Sequence, residues 1–203
     1  MLINCKEFTS EQIYFLMVQT IVPRPIAWVL SDNGNATYNL APFSFFNGIS
    51  SEPPLLMISV GLKSDGSRKD TWINIAERND FVVHVPSVEL IHHVVDSSAS
   101  LPHGVSEVKE LNLKIQNVEN WCLPRVVGPK VVFFCQKHHI YEVGNSSEAV
   151  IFGEIKAIWL DDSIVKDKKD RIRIDYEQLD PLARLGGSFY SRLGEQICMK
   201  RPP

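Results

Sequence analysis

The chain has 203 residues, 44% of them apolar, enough for one sizeable core; it reads as a single domain over 1–203 with a helical N-terminal extension over 1–21 and a C-terminal tail over 176–203. A net charge of −3, a pI near 6.1 and scattered lysines and arginines provide no field suited to nucleic acid or an anionic membrane. Cys5, Cys122, Cys135 and Cys198 lie far apart without a C-x-x-C pair, no secretory leader pattern is present, and no apolar run approaches the ~20 residues a bilayer needs, so a soluble, cytoplasmic protein with reduced thiols is expected.

Thr9 followed by Gln12 has the form of a capping box, opening a helix through about Gln19 with Ile13, Leu16 and Met17 on one face to pack against the body of the protein. Pro23 and Pro25 exclude helix. Ile26 to Ser31 reads as a strand turning at Asp32-Asn33-Gly34, where Asn33-Gly34 suits the positive φ of a tight hairpin. The return runs from about Ala36 through Phe46, with Pro42 marking a break or bulge where one strand edge lacks a donor. A loop from Ser50 to Pro54 precedes Leu55 to Val60, a near-continuous apolar run expected to be a strand covered on both faces and ended by Gly61.

From Leu62 to Lys69 the chain turns polar and basic, and Asp70 or Thr71 is placed to cap a helix through about Arg78, with Asn79 as its stop. That loop-to-helix junction is where a phosphate is expected, because free N–H groups and the positive dipole end favour an anion. Phe81 to Val85 reads as a strand, Ser87 as a cap for a helix starting at Val88, Ser97 to Gly104 as loose connection, and Ser106 to Leu111 as a short helix. Lys114 to Glu119, Val131 to Val143 and Ala149 to Leu160 read as strands, the last two joined at Gly144-Asn145. Asp161 to Arg173 is a charged, solvated stretch, and the tail from Tyr176 to Gly194 has too few apolar residues for a core of its own.

Strands in succession with helices inserted singly argue for an antiparallel barrel decorated with helices, not a doubly wound sheet. Neither G-x-G-x-x-G nor G-x-x-x-x-G-K-[ST] occurs, and no G-x-S-x-G or H-E-x-x-H suggests a hydrolase. The pairs His92-His93 and His138-His139 are adjacent in sequence, so their side chains diverge on a helix or a strand, and no metal site is expected.

The stretch PRPIAWVLSDNGNATYNLAPFSFFN from Pro23 to Asn47, followed by SSEPPLLMISVG and RKDTWINI, resembles the core of the flavin-reductase-like, FMN-binding split-barrel family. PLARLGGSFYSRLGE from Pro181 to Glu195 is similar to that family's C-terminal motif, so the resemblance runs from about Val22 onward and is thinnest between Val88 and Asn120. It implies a mostly-β fold with added helices, an antiparallel split β-barrel. It also implies FMN held at a homodimer interface, with NADH or NADPH as hydride donor, hence an NAD(P)H-dependent flavin reductase-like oxidoreductase.

Each segment also has a physical reading. In NLAPFSFFN, Pro42 and alternating small and aromatic residues leave backbone groups free to meet the polar edge of a planar heterocycle, so Ala41, Pro42, Phe43, Ser44 and Phe45 are candidate ring contacts; the other reading is a strand whose phenylalanines fill the core. Ser59 and Gly61 either terminate a strand or let a ribityl chain pass closely. Ser64, Ser67, Arg68, Lys69 and Thr71 offer hydroxyls and cations to a phosphate, or form a solvated loop, with Asp70 reserved for capping and turned away from a ligand. Arg184 and Tyr190, beside Gly186-Gly187, are candidates to close over the flavin or a partner subunit. Hydride transfer requires no side-chain base, so no catalytic side chain is assigned. Two competing readings are a non-catalytic FMN-binding electron-transfer protein and a split-barrel oxidase of a phosphorylated amine.

Overall fold

The computed structural model, in which residues 1–144, 148–167 and 171–202 are described, is built on a seven-stranded antiparallel sheet. Its strands are β1 (Ala27–Asp32), β2 (Tyr38–Phe43), β3 (Phe46–Ser51), β4 (Pro54–Gly61), β5 (Asp80–Val85), β6 (Val131–Glu142) and β7 (Glu148–Leu160), arranged in the order β2-β1-β5-β6-β7-β4-β3. The two edge strands, β2 and β3, are consecutive in the chain and joined only by Ser44 and Phe45. A flat sheet of this size would hold its edges roughly 29 Å apart, whereas the link from Phe43 to Phe46 reaches at most about 11 Å. The sheet therefore curls until its edges approach without pairing, and the Ser59 N–H donates to the Phe45 carbonyl at 2.9 Å, carrying the β3–β4 ladder one residue into the link. The result is a barrel split between β2 and β3.

Pro42 sits in edge strand β2 opposite Trp28. Two residues earlier the Leu40 N–H points away from the sheet to Glu107 Oε2 at 2.9 Å, and strand periodicity turns the Pro42 nitrogen the same way, so its missing donor costs no ladder bond. The strand runs unbroken through Pro42 and bends only at Ser44-Phe45. The hairpin before it is wider than the two-residue turn expected: the Asn33 N–H donates to the Thr37 carbonyl at 3.0 Å, and positive φ falls on Gly34 and Ala36. The strand expected to run on through Phe46 instead ends at Phe43, and Phe46–Ser51 forms a separate strand, β3, that takes in the start of the expected Ser50 to Pro54 loop; β4 buries alternate residues instead of both faces.

Two apolar layers sandwich β1. Ala27 and Val29 face the barrel interior with Ile58, Val60, Phe81 and Ile151, while Trp28 and Leu30 pack on the outside against Val94, Val108, Phe134 and Leu182. Helix α1 (Ser10–Thr20) opens on a complete capping box, Thr9 N–H to Gln12 Oε1 and Gln12 N–H to Thr9 Oγ1. It buries only Val18 fully; Ile13 and Leu16 are half-buried and Met17 is exposed, so its packing against the barrel is slighter than its apolar face suggested. Helix α2 (Asp70–Arg78) inserts Trp72 and Ile75 into the barrel core, and Asn79 ends it with φ of 71°. Short helices α3 (Ile91–Asp96) and α4 (Glu107–Glu110) cover the outer layer.

Of the strand expected over Lys114 to Glu119, only Ile115–Gln116 pairs, with Arg125–Val126. Within the charged stretch after β7, Ile164 is fully buried and Val165–Asp167 pairs with Arg173–Ile174. In the tail, Leu182 joins the outer layer, and α5 (Tyr176–Leu179) buries Leu179 in a small separate cluster with Val131 and Ile164. Asn145 of the expected Gly144-Asn145 turn lies outside the described residues. Among those described, no helix is long and apolar enough to cross a membrane.

Candidate functional site

Three adjoining cavities of about 310, 140 and 340 Å³ all share Pro42 and Phe43, forming a groove along the seam of the barrel. The bend after β2 places these residues there, because the chain must cross from one sheet edge to the other in two residues.

The first cavity ends at the start of α2, where Lys69, Asp70 and Thr71 meet Ser64, with Asn39 and Ala41 of β2 alongside. No side chain caps α2: the N-cap residue is Lys69, which makes no side-chain capping bond, and the Asp70 and Thr71 N–H groups have no acceptor among the described residues. Asp70 is not the expected cap. It is the first helical residue, and its buried carboxylate pairs with Lys63 at 2.6 Å, accepts from the Gly104 N–H at 2.9 Å and lies 3.3 Å from His103 Nδ1. Burial opposes its ionisation, but the bonds from Lys63, Gly104 and His103 outweigh that and hold its pKa below the ordinary value.

Lys63 lines the same cavity but is held by Asp70, whereas Lys69 lines both the first and the third cavities. The Lys69 ammonium lies 5.7 Å from the Phe43 ring centroid, and burial pulls its pKa down while Glu148 opposes the shift. Thr71 is held from behind: its hydroxyl accepts from Asn39 Nδ2 at 2.8 Å within a buried network of Ser31, Asn33 and Asn74. Because that oxygen is an acceptor there, its own O–H is free to donate outward. The far wall is the Ser97 to Leu101 loop together with Glu107, whose pKa burial raises despite the bond from the Leu40 N–H.

The third cavity carries Ser44, Phe45, Ser59, Gly61 and Lys69, with Tyr14 from α1. Ser59 donates to Glu148 Oε2 at 3.0 Å, and a Cβ at Gly61 would stand 2.8 Å from Glu148 Oε1. The space over the bare Gly61 backbone is thus used by the protein's own carboxylate. The second cavity is bounded by Ile26, Val94, Ser44 and Ser98, with Arg184 and Tyr190 from the tail.

Arg24 ties these pieces together. It is 4% exposed and donates to the Val18 and Ile21 carbonyls at 2.6 Å, to the Leu185 carbonyl at 2.8 Å and to Ser44 Oγ at 3.3 Å. One guanidinium therefore fixes the end of α1 and the tail hairpin against the bend that carries Ser44.

The structure thus brings Ala41, Pro42, Phe43, Ser44, Phe45, Ser59, Gly61, Ser64, Lys69, Thr71, Arg184 and Tyr190 to one groove. It does not bring Ser67 or Arg68 there. Ser67 donates to Asp65 Oδ1 at 2.6 Å, and Arg68 pairs with Glu142 at 2.8 Å while lying 4.5 Å from the Trp72 centroid, because the turn at Asp65-Gly66 and the Leu62–Arg68 bridge direct both outward. Sequence reasoning passed over Asn39, Arg24, Glu107, Glu148 and the Ser97 to Leu101 wall; the serine-rich run itself was the one local signal. Among the described residues no cluster of metal-binding side chains occurs.

Uncapped N–H groups, a desolvated lysine and an outward hydroxyl at one end, with aromatic side chains along the rest, form a cradle that fits a phosphorylated planar heterocycle such as FMN. The family described as flavin reductase like domain matches residues 18–182. An uncharacterised protein of Aquifex aeolicus is 35% identical over 195 residues, covering 96% of this chain and 97% of its own. Nitrilotriacetate monooxygenase component B from Bacillus cereus superposes with a TM-score of 0.90 at 30% identity, covering 98% of both chains. The 2-nitrobenzoate 2-nitroreductase NbaA of Pseudomonas fluorescens gives 0.87 at 28% identity, covering 100% of this chain and 96% of its own. On the full-length match of fold and sequence, this chain belongs to the flavin reductase-like domain family.

Proposed function

We propose that the protein holds FMN in this groove and works as an NAD(P)H-dependent flavin reductase-like oxidoreductase. The observation that carries this reading is the uncapped start of α2 facing Lys69, an anion site at the end of an aromatic-lined groove. Bound FMN would supply the hydride-accepting chemistry. The chain would supply the rest. Lys69, the Asp70 and Thr71 N–H groups and the Ser64 and Thr71 hydroxyls would hold the phosphate. Phe43, Phe45 and Pro42 would exclude water from the ring, while backbone groups of the Ala41–Ser44 bend meet its polar edge. The relationship to a monooxygenase component and a nitroreductase supports redox work over passive storage.

A homodimer with cytoplasmic location belongs to the same reading: α1, which contributes Tyr14 to the groove, also exposes Phe15 and Met17 as apolar surface for a second copy. The test is rapid anaerobic mixing of FMN-loaded protein with NADH and with NADPH. Bleaching of the flavin band on a turnover timescale is expected with at least one; FMN binding without bleaching would make the protein an electron carrier, and no FMN binding would end the proposal. Sedimentation at micromolar concentration checks the dimer.

A further inference from the structure

The second cavity differs from its neighbours in size, charge and origin. At about 140 Å³ it is comparable to the ~150 Å³ cavity that accommodates benzene in an engineered protein core, so it suits one six-membered ring. Its walls are apolar at Ile26, Pro42, Phe43 and Val94, and no carboxylate lines it. Arg184 and Tyr190 come from the C-terminal tail, the other lining residues from the body of the protein.

Arg184 has no carboxylate within ion-pair distance among the described residues; its guanidinium lies 4.4 Å from the Tyr190 ring centroid and donates to the Gly187 carbonyl. It also stands directly opposite Arg24 in the short strand pairing of residues 24–25 with 183–184. Like charges paired across strands repel, and Arg24 places its donors on carbonyls and Ser44, none of them an anion. Ser44 Oγ accepts from Arg24, which leaves its own O–H to donate. A cation, a hydroxyl with its proton to donate and an aromatic side chain thus line one ring-sized, largely apolar part of the groove.

We infer that this cavity is a substrate subsite for a single-ring aromatic compound bearing a carboxylate, with Arg184 and Ser44 recognising the anion and Tyr190 stacking on the ring. The inference rests on the proposed function insofar as it places that substrate beside the cofactor, but anion recognition itself needs no flavin.

The probes are benzoate and its neutral isostere benzamide, titrated calorimetrically into flavin-free and FMN-loaded protein. Benzoate is expected to bind at least tenfold more tightly than benzamide, to perturb the visible flavin band, and to lose that preference in Arg184→Gln. Arg184→Lys, which keeps the charge without the planar fork, should restore part of it and shows that the position tolerates substitution. Equal binding of the two probes, or an undiminished preference in Arg184→Gln, overturns the inference. So does an Arg184→Gln variant in which only the KM for NADPH rises, since the anion would then be a nucleotide phosphate. Arg184-dependent benzoate binding in a protein that takes up no FMN would support the subsite while removing the flavin reading.

Discussion

Lys63 Nζ lies 2.6 Å from Asp70 Oδ1, an ion pair whose side chains are only 16% and 7% exposed. The same carboxylate receives the Gly104 N–H, so it anchors the basic loop and the 97–104 segment to the first turn of α2. Asp70→Asn would leave a shielded ammonium without its counter-charge, and a loss on the order of 3 kcal/mol is expected. Urea unfolding checks this; a midpoint within error of wild type would mean that solvent already screens the pair.

Three cations lie within seven residues, and they should behave differently. Lys69→Ala removes a charge that lines the groove, so FMN affinity should fall by about 1–3 kcal/mol, the range for charge-assisted hydrogen bonds. Arg68→Ala breaks only an exposed pair with Glu142 and should leave affinity within about twofold. Quenching of flavin fluorescence on binding measures both.

Glu107 closes the open edge of β2 by accepting the Leu40 N–H, although burial holds its pKa above the ordinary value. A raised carboxyl pKa in the fold means that ionisation is penalised there, so this residue's contribution to stability improves as pH falls. Glu107→Gln keeps an acceptor without the charge and should match or exceed wild-type stability at neutral pH. Glu107→Leu strands the Leu40 N–H and should cost about 1–3 kcal/mol.

His84 is fully buried in β5: Nε2 accepts the Val126 N–H at 2.9 Å, which places the proton on Nδ1, donated to the Trp28 carbonyl at 2.9 Å. Burial lowers its pKa from 6.5 to about 4. The unfolded chain therefore binds this proton first, and stability present above pH 6.5 is lost as pH falls towards 4, by roughly 3 kcal/mol in all. Urea midpoints recorded from pH 7 to pH 4 should decline over that window, and a flat profile would contradict the neutral assignment.

Local chemistry determined a good part of this structure from the sequence. The Thr9–Gln12 box and the Asn79 stop of α2 involve partners three or four residues apart, and the long apolar strands β6 and β7 declare themselves by composition. The motif residues around Pro42 were legible as a group because they are contiguous. Strand β3 was not: its residues are mostly exposed and show no apolar alternation, and only pairing with β4 makes them a strand. Nor could the sequence say that Arg68 turns away from the groove while Lys69 lines it and Lys63 is held by Asp70. Their partners Asp70, Glu142 and Glu148 lie up to 79 positions away, and the choice among them is made where the barrel curls and its two edges approach. Propensity and periodicity act within a few residues, whereas ion pairing and enclosure of a cavity depend on distances that exist only after the chain has closed on itself.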